Sequence, residues 1–226
     1  MNVMNSRLFT KAITRFLAGL LIVGLLLFVP AGTLAYWQAW LLTGILFVPM
    51  FIAGLVMMKK SPDLLRKRLN VKEEQSEQKN VILLSGLMFL AAFVFAGLNF
   101  RFQWIILPDW VSFAAATVFL LAYALYAEVL RENAYLSRTI EVQENQKVID
   151  TGLYGVVRHP MYMSTLLLFL SMPLVLGSPL SFVITLAYVP IIAKRIRNEE
   201  QVLEEGLEGY TEYKKRVKFK VIPFVW

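Results

Sequence analysis

Apolar residues in this chain come in long blocks separated by charged stretches. Blocks at 16–31, 36–58, 81–98 and 110–130 predict four helical spans, since roughly 18 apolar residues suffice to cross a hydrocarbon layer as a helix. The last apolar region, 161–193, is broken at Gly177-Ser178-Pro179. That break predicts a tight turn between two short helices, a hairpin within one block. Pro30, Pro49, Pro173 and Pro190 lie in or beside spans, where neighbouring helices tolerate kinks. The expected fold is all-α and polytopic, with about six helices including the C-terminal hairpin.

Composition agrees. The chain is 58% hydrophobic and 17% charged, whereas a soluble domain runs near half apolar and about a quarter charged. Of its 23 lysines and arginines, all but Arg101 fall in the leader, in 59–80, in 131–160 or from residue 194 onward. Every second connection is therefore basic and the turn at 30–35 is uncharged, which assigns both termini to the cytoplasmic side. The basic leader, the first apolar run and Thr33-Leu34-Ala35 imitate a secretory signal, but another span follows at once. The small size points to the cytoplasmic membrane of a prokaryote. The net charge of +7 sits beside apolar blocks, so it suits anionic headgroups and argues against nucleic acid. With no cysteine and His159 as the single histidine, disulfides, thiolate sites and histidine metal clusters are excluded.

Two polar segments remain. Residues 59–80 read as a solvated loop with a short helix. Residues 131–159 are more informative, since they mix polar and apolar positions and lead through Gly152 straight into a helix. Gly152 and Gly155 permit tight turns or close approach of a ligand. Pro160 suits the first turn of a helix, which puts His159 at its cap and Tyr162 nearby. Free N–H groups at such a helix start favour a carboxylate or phosphate, and Arg158 adds a fixed charge. Further on, Lys194-Arg195-Ile196-Arg197-Asn198-Glu199-Glu200 continues the last apolar helix out of the bilayer. Arg195 and Glu199 are four residues apart and share a face. An arginine and a glutamate together can hold a zwitterion.

The run Arg158-His159-Pro160-Met161-Tyr162, then an apolar hairpin, then Glu199-Glu200, resembles the signature of isoprenylcysteine carboxyl methyltransferases and bacterial phospholipid methyltransferases. Gly152-Leu153-Tyr154 before it looks like the same family, as does Gly209-Tyr210-Thr211-Glu212-Tyr213 with Arg216-Val217 after it. The resemblance covers residues 146–223. It implies S-adenosylmethionine as methyl donor, bound at the cytoplasmic surface by the hairpin and its flanks. By position, Lys147, Val148 and Ile149 would line the nucleoside with Gln146 at their edge. Tyr154, Arg158, His159, Pro160, Tyr162 and Glu200 would belong to the same cofactor site. Glu199 would hold the ammonium group, and Arg195 would face the acceptor, so that these two carry the catalytic role. The isoprenylcysteine enzymes look to have a histidine where Gln146 stands, which puts a prenylcysteine substrate in question. On this reading residues 1–135 supply the acceptor side and 136–226 the cofactor site, and the partners are a lipophilic small-molecule acceptor and membrane lipids.

Plainer readings stand beside these. Alone, His159 is a cap residue, and Arg195, Arg197, Glu199 and Glu200 fit a solvated helix end. Tyr210 and Tyr213 read as interfacial aromatics. Glu128, Arg131, Glu132, Asn133 and Arg138 fit an acceptor pocket or a solvated helix end equally well. The rival functions are a membrane reductase of the sterol-reductase type, using NADPH, and a non-enzymatic scaffold or transporter.

Overall fold

The apolar blocks fold as helices in a computed structural model that describes residues 3–69, 76–133, 135, 136, 140 and 142–226. Helices α1 (Val3–Ala31), α2 (Trp37–Lys60), α4 (Ser76–Phe102) and α5 (Asp109–Glu132) correspond to the four expected spans, with the short α3 (Pro62–Leu69) between α2 and α4. After the connector come a single 3-10 turn at Gly152–Gly155, α6 (Pro160–Val175), α7 (Pro179–Thr185), α8 (Tyr188–Gly206) and α9 (Tyr210–Arg216). Among the described residues there is no strand. The segments Arg7–Ala31, Trp37–Lys60, Lys79–Phe102, Asp109–Glu132 and Pro179–Gly206 are each long and apolar enough to cross a membrane. α6 is shorter: its 16 residues rise about 24 Å.

The spans extend beyond their apolar runs. α1 begins at Val3, not at residue 16. In this polar extension Arg7, Lys11 and Arg15 recur every four residues and so share a face. The second leg of the hairpin is itself broken at Leu186-Ala187. Pro190 lies four residues beyond Leu186, lacks the N–H that would bond its carbonyl, and would clash with it, which accounts for the break.

Small residues bring the helices together. Ala39, Ala96, Ala115, Ala116 and Ala122 sit in the central cluster with Tyr36, Leu42, Phe119 and Met172. Small side chains let helix backbones approach closely in lipid, where apolar packing alone gives little drive. α1 and α4 approach closely: a Cβ at Gly97 would stand 2.6 Å from the Leu27 carbonyl oxygen. Large apolar side chains point outward instead, with Leu21 63% and Leu121 66% exposed. These form the lipid-facing surface of an integral membrane protein. The hairpin turn is fixed by polar contacts from the other helices. The Tyr36 hydroxyl donates to the Leu176 carbonyl at 2.6 Å, and Asn99 donates to the Gly177 carbonyl at 3.4 Å. Ser178 accepts from the Ser181 N–H at 3.3 Å and so caps α7.

Candidate active site

Pro160 begins α6, so His159 becomes its cap residue. The chain after α9 folds back against this point. The Arg158 N–H donates to the Phe219 carbonyl at 3.0 Å, and the His159 N–H to that of Lys220 at 2.8 Å. The Arg158 side chain is buried, donating through Nε to Glu200 at 2.8 Å and through Nη1 to the Val217 and Lys218 carbonyls at 2.6 and 2.9 Å. His159 Nε2 lies 3.2 Å from the same Glu200 oxygen, and Lys220 Nζ lies 3.3 Å from the other. One buried carboxylate thus gathers a guanidinium and an imidazole from adjacent residues at the start of α6 and an ammonium from the chain after α9. Those contacts compensate the large cost of burying its charge.

Glu199 precedes Glu200 by one residue and faces a different way. It accepts a hydrogen bond from the Tyr162 hydroxyl, while Arg195 Nε donates to that hydroxyl at 3.0 Å. His159 Nδ1 is 4.0 Å from Glu199 Oε1. The four-residue spacing therefore does place Arg195 and Glu199 around one common point.

These side chains open onto a cleft of about 850 Å³, its mouth included. Gln146, Lys147, Val148, Ile149, Tyr154, Arg158, His159, Tyr162, Arg195 and Glu199 all reach its wall. The Gln146 side chain is bonded within the connector, accepting from the Gln143 N–H at 2.9 Å. Two residues expected in the cofactor site stand outside the wall. Pro160 serves as the first residue of α6, and Glu200 holds Arg158 and His159 from behind.

The connector reaches this wall through Gly152. Its φ is +52°, and a Cβ there would fall 1.5 Å from Glu132 Oε1. The space is taken because Glu132 accepts from the Leu153 N–H at 3.1 Å. Asn133, at the end of α5, donates to the Tyr154 hydroxyl at 2.9 Å and lines the cleft. Glu128 and Arg131 pair with each other on the exposed side, Arg131 Nε donating at 2.8 Å. Arg138 lies outside the described residues.

Tyr210 and Tyr213 are not interfacial aromatics: both are 4% exposed and line the cleft. Tyr213 donates to the Tyr154 carbonyl at 2.8 Å. The Tyr210 hydroxyl is buried with no partner among the described residues, a condition that costs about 1–3 kcal/mol. Burial pushes the phenols of Tyr154, Tyr210 and Tyr213 well above their ordinary value, so all three are neutral at physiological pH. The motif Gly209-Tyr210-Thr211-Glu212-Tyr213 carried the signal for both residues, although burial of the hydroxyls is not visible in sequence.

A second cavity, about 1560 Å³ with its opening, lies among α1, α2, α3, α5 and α6. Phe16, Phe51, Phe119, Phe169 and Met172 give it an apolar wall, joined by Arg15 and Arg68. Leu130 and Thr165 line this cavity, while Asn133 and Tyr162 line the first. In each case three residues separate the two walls, about 4.5 Å of helix rise.

A family match falls on the same region. The phospholipid methyltransferase family model matches residues 110–208. A protein-S-isoprenylcysteine O-methyltransferase B of Arabidopsis thaliana is 30% identical over 157 residues, covering 64% of this chain and 72% of that protein. The chain belongs to the isoprenylcysteine carboxyl methyltransferase and phospholipid methyltransferase family. A protein-S-isoprenylcysteine O-methyltransferase of Xenopus laevis is likewise 30% identical, over 64% of this chain and 53% of its own length. A Delta(14)-sterol reductase of Mus musculus is 32% identical over 91 residues, 39% of this chain and 22% of the reductase. The chain thus spans about half the length of the Xenopus relative and about a fifth of the reductase. A solved structure of the eukaryotic intramembrane Ras methyltransferase, isoprenylcysteine carboxyl methyltransferase, aligns over 100% of this chain and 88% of that one, with a TM-score of 0.48 and 17% identity. The stretch matched by the phospholipid methyltransferase family holds α5, the connector, the hairpin and α8, and with them His159, Arg195 and Glu199.

Proposed function

We propose that this protein transfers a methyl group from S-adenosylmethionine to a lipophilic acceptor at the cytoplasmic face of its membrane. The observation that carries the reading is the convergence of His159, Tyr162, Arg195 and Glu199 on one polar cleft, a single helical turn from a large apolar cavity. The cleft fits the cofactor by the chemistry of its walls. Glu199 offers a carboxylate to an ammonium group, Val148 and Ile149 offer apolar surface to a nucleoside, and Tyr154 offers an aromatic face to a sulfonium. A cation–π contact of that kind is worth about 1–2 kcal/mol. Residues 136–226 would supply most of this site, and 1–135 most of the acceptor cavity.

The cofactor supplies a methyl group already activated for displacement, so the protein has to position the reactants and exclude water. Arg195 is held by Tyr162 and orients the acceptor's polar end. Glu199 shares that tyrosine and holds the donor's ammonium. Glu200 acts on neither reactant: by anchoring Arg158 and His159 to the chain after α9, it fixes the wall of the cleft. A carboxylate acceptor needs orientation only. An amine must also lose a proton.

The test is incubation of the purified protein with lipid extracts and a radiolabelled methyl donor. Label should enter one amphiphilic species and be lost with Arg195→Ala. A second reading, a reductase using NADPH, draws on the likeness to the sterol reductase over 39% of the chain. Displacement of bound S-adenosylmethionine by NADPH would favour it over methyl transfer.

A further inference from the structure

The hydroxyl of Tyr210 is buried and has no partner among the described residues. Tyr210 lines the cleft and is 4% exposed, yet its hydroxyl meets neither solvent nor any described acceptor. Nearly all buried hydroxyls in folded proteins find a partner, so an orphan on a cavity wall calls for an explanation. Its neighbours satisfy themselves: Tyr213 bonds the Tyr154 carbonyl, Tyr154 accepts from Asn133, and Tyr162 joins Arg195 to Glu199. Tyr210 shares the wall of this one cleft with His159, Tyr162, Arg195 and Glu199. With its proton retained, the phenol is a donor, and what it lacks is an acceptor oxygen.

Resting on the cofactor reading above, we propose that Tyr210 donates a hydrogen bond to the carboxylate of the cofactor's amino-acid end. Glu199 takes the ammonium of a zwitterion, whose carboxylate is attached to the same carbon. That carboxylate needs a donor close to Glu199. Arg158 is already committed to Glu200 and to the Val217 and Lys218 carbonyls. Tyr210 is a neutral donor with no partner among the described residues.

The experiment is a binding comparison in detergent between S-adenosylmethionine and its decarboxylated analogue, using wild type and Tyr210→Phe, with thermal unfolding of each unliganded protein. Phenylalanine keeps the ring and removes a hydroxyl that no described residue satisfies, so the unliganded melting temperature should hold or rise slightly. Affinity for the full cofactor should fall about tenfold, a typical loss for a hydrogen bond to a charged group. Affinity for the decarboxylated analogue should not change. Equal loss for both ligands would move the contact to the nucleoside and overturn the assignment. No loss for either would remove Tyr210 from the site, and a fall of several degrees in melting temperature would make the hydroxyl structural. Absence of cofactor binding to folded wild type would instead overturn the proposed function itself, and this inference with it.

Discussion

Two halves of this molecule are held together by opposite means. Where α1, α2, α4, α5 and α6 meet, contact is made by alanines, Gly97 and apolar side chains, with a few hydroxyl and amide groups tied to carbonyls. Around the start of α6 and the end of α8, a buried carboxylate gathers Arg158, His159 and Lys220. The first arrangement tolerates change wherever a side chain faces lipid. The second depends on a single acid, because removing one partner leaves buried charges uncompensated. Rigid placement of the cleft residues is thereby bought with sensitivity.

The sharpest way to break this contrast is Glu200→Ala. It should cost about 3–5 kcal/mol, seen as a large fall in melting temperature in detergent, with cofactor binding lost as Arg158 and His159 come free. Gly97→Ala in the bundle should cost less, about 1–3 kcal/mol, because α1 and α4 must separate to admit the new methyl group. Its folded fraction should bind cofactor with unchanged affinity, which calorimetry can check. If Gly97→Ala weakened binding as much as Glu200→Ala did, the two regions would not be separable. Tyr36→Phe removes one bond to the Leu176 carbonyl and should cost about 1 kcal/mol. Smallest of all, Leu21→Val on the lipid-facing side of α1 should stay within about 0.5 kcal/mol.

Much of the bundle was legible because apolar blocks and their basic flanks report directly on spans, and Gly177-Ser178-Pro179 on the hairpin. The extension of α1 to Val3 was not, since hydropathy measures the apolar run and not the helix. The break at Leu186-Ala187 needed Pro190 to be read against the carbonyl four residues earlier. In the cleft, the placing of Arg195 with Glu199 followed from helical spacing. The separate duties of Glu199 and Glu200 did not, because adjacent acids on a helix differ by rotation, and only the fold decides which of them meets the returning chain. Glu132 filling the space that Gly152 leaves open is likewise a long-range match that sequence does not display.

The central claim is that the cleft beside His159 and Glu199 holds a sulfonium nucleotide. Calorimetric titration of S-adenosylmethionine into the folded protein tests it most directly. The account predicts saturable binding to wild type that disappears in His159→Ala and in Glu199→Ala, with the latter keeping its melting temperature. A well-folded wild type that takes up no S-adenosylmethionine, or a Glu199→Ala variant that binds it as tightly as wild type, would contradict it.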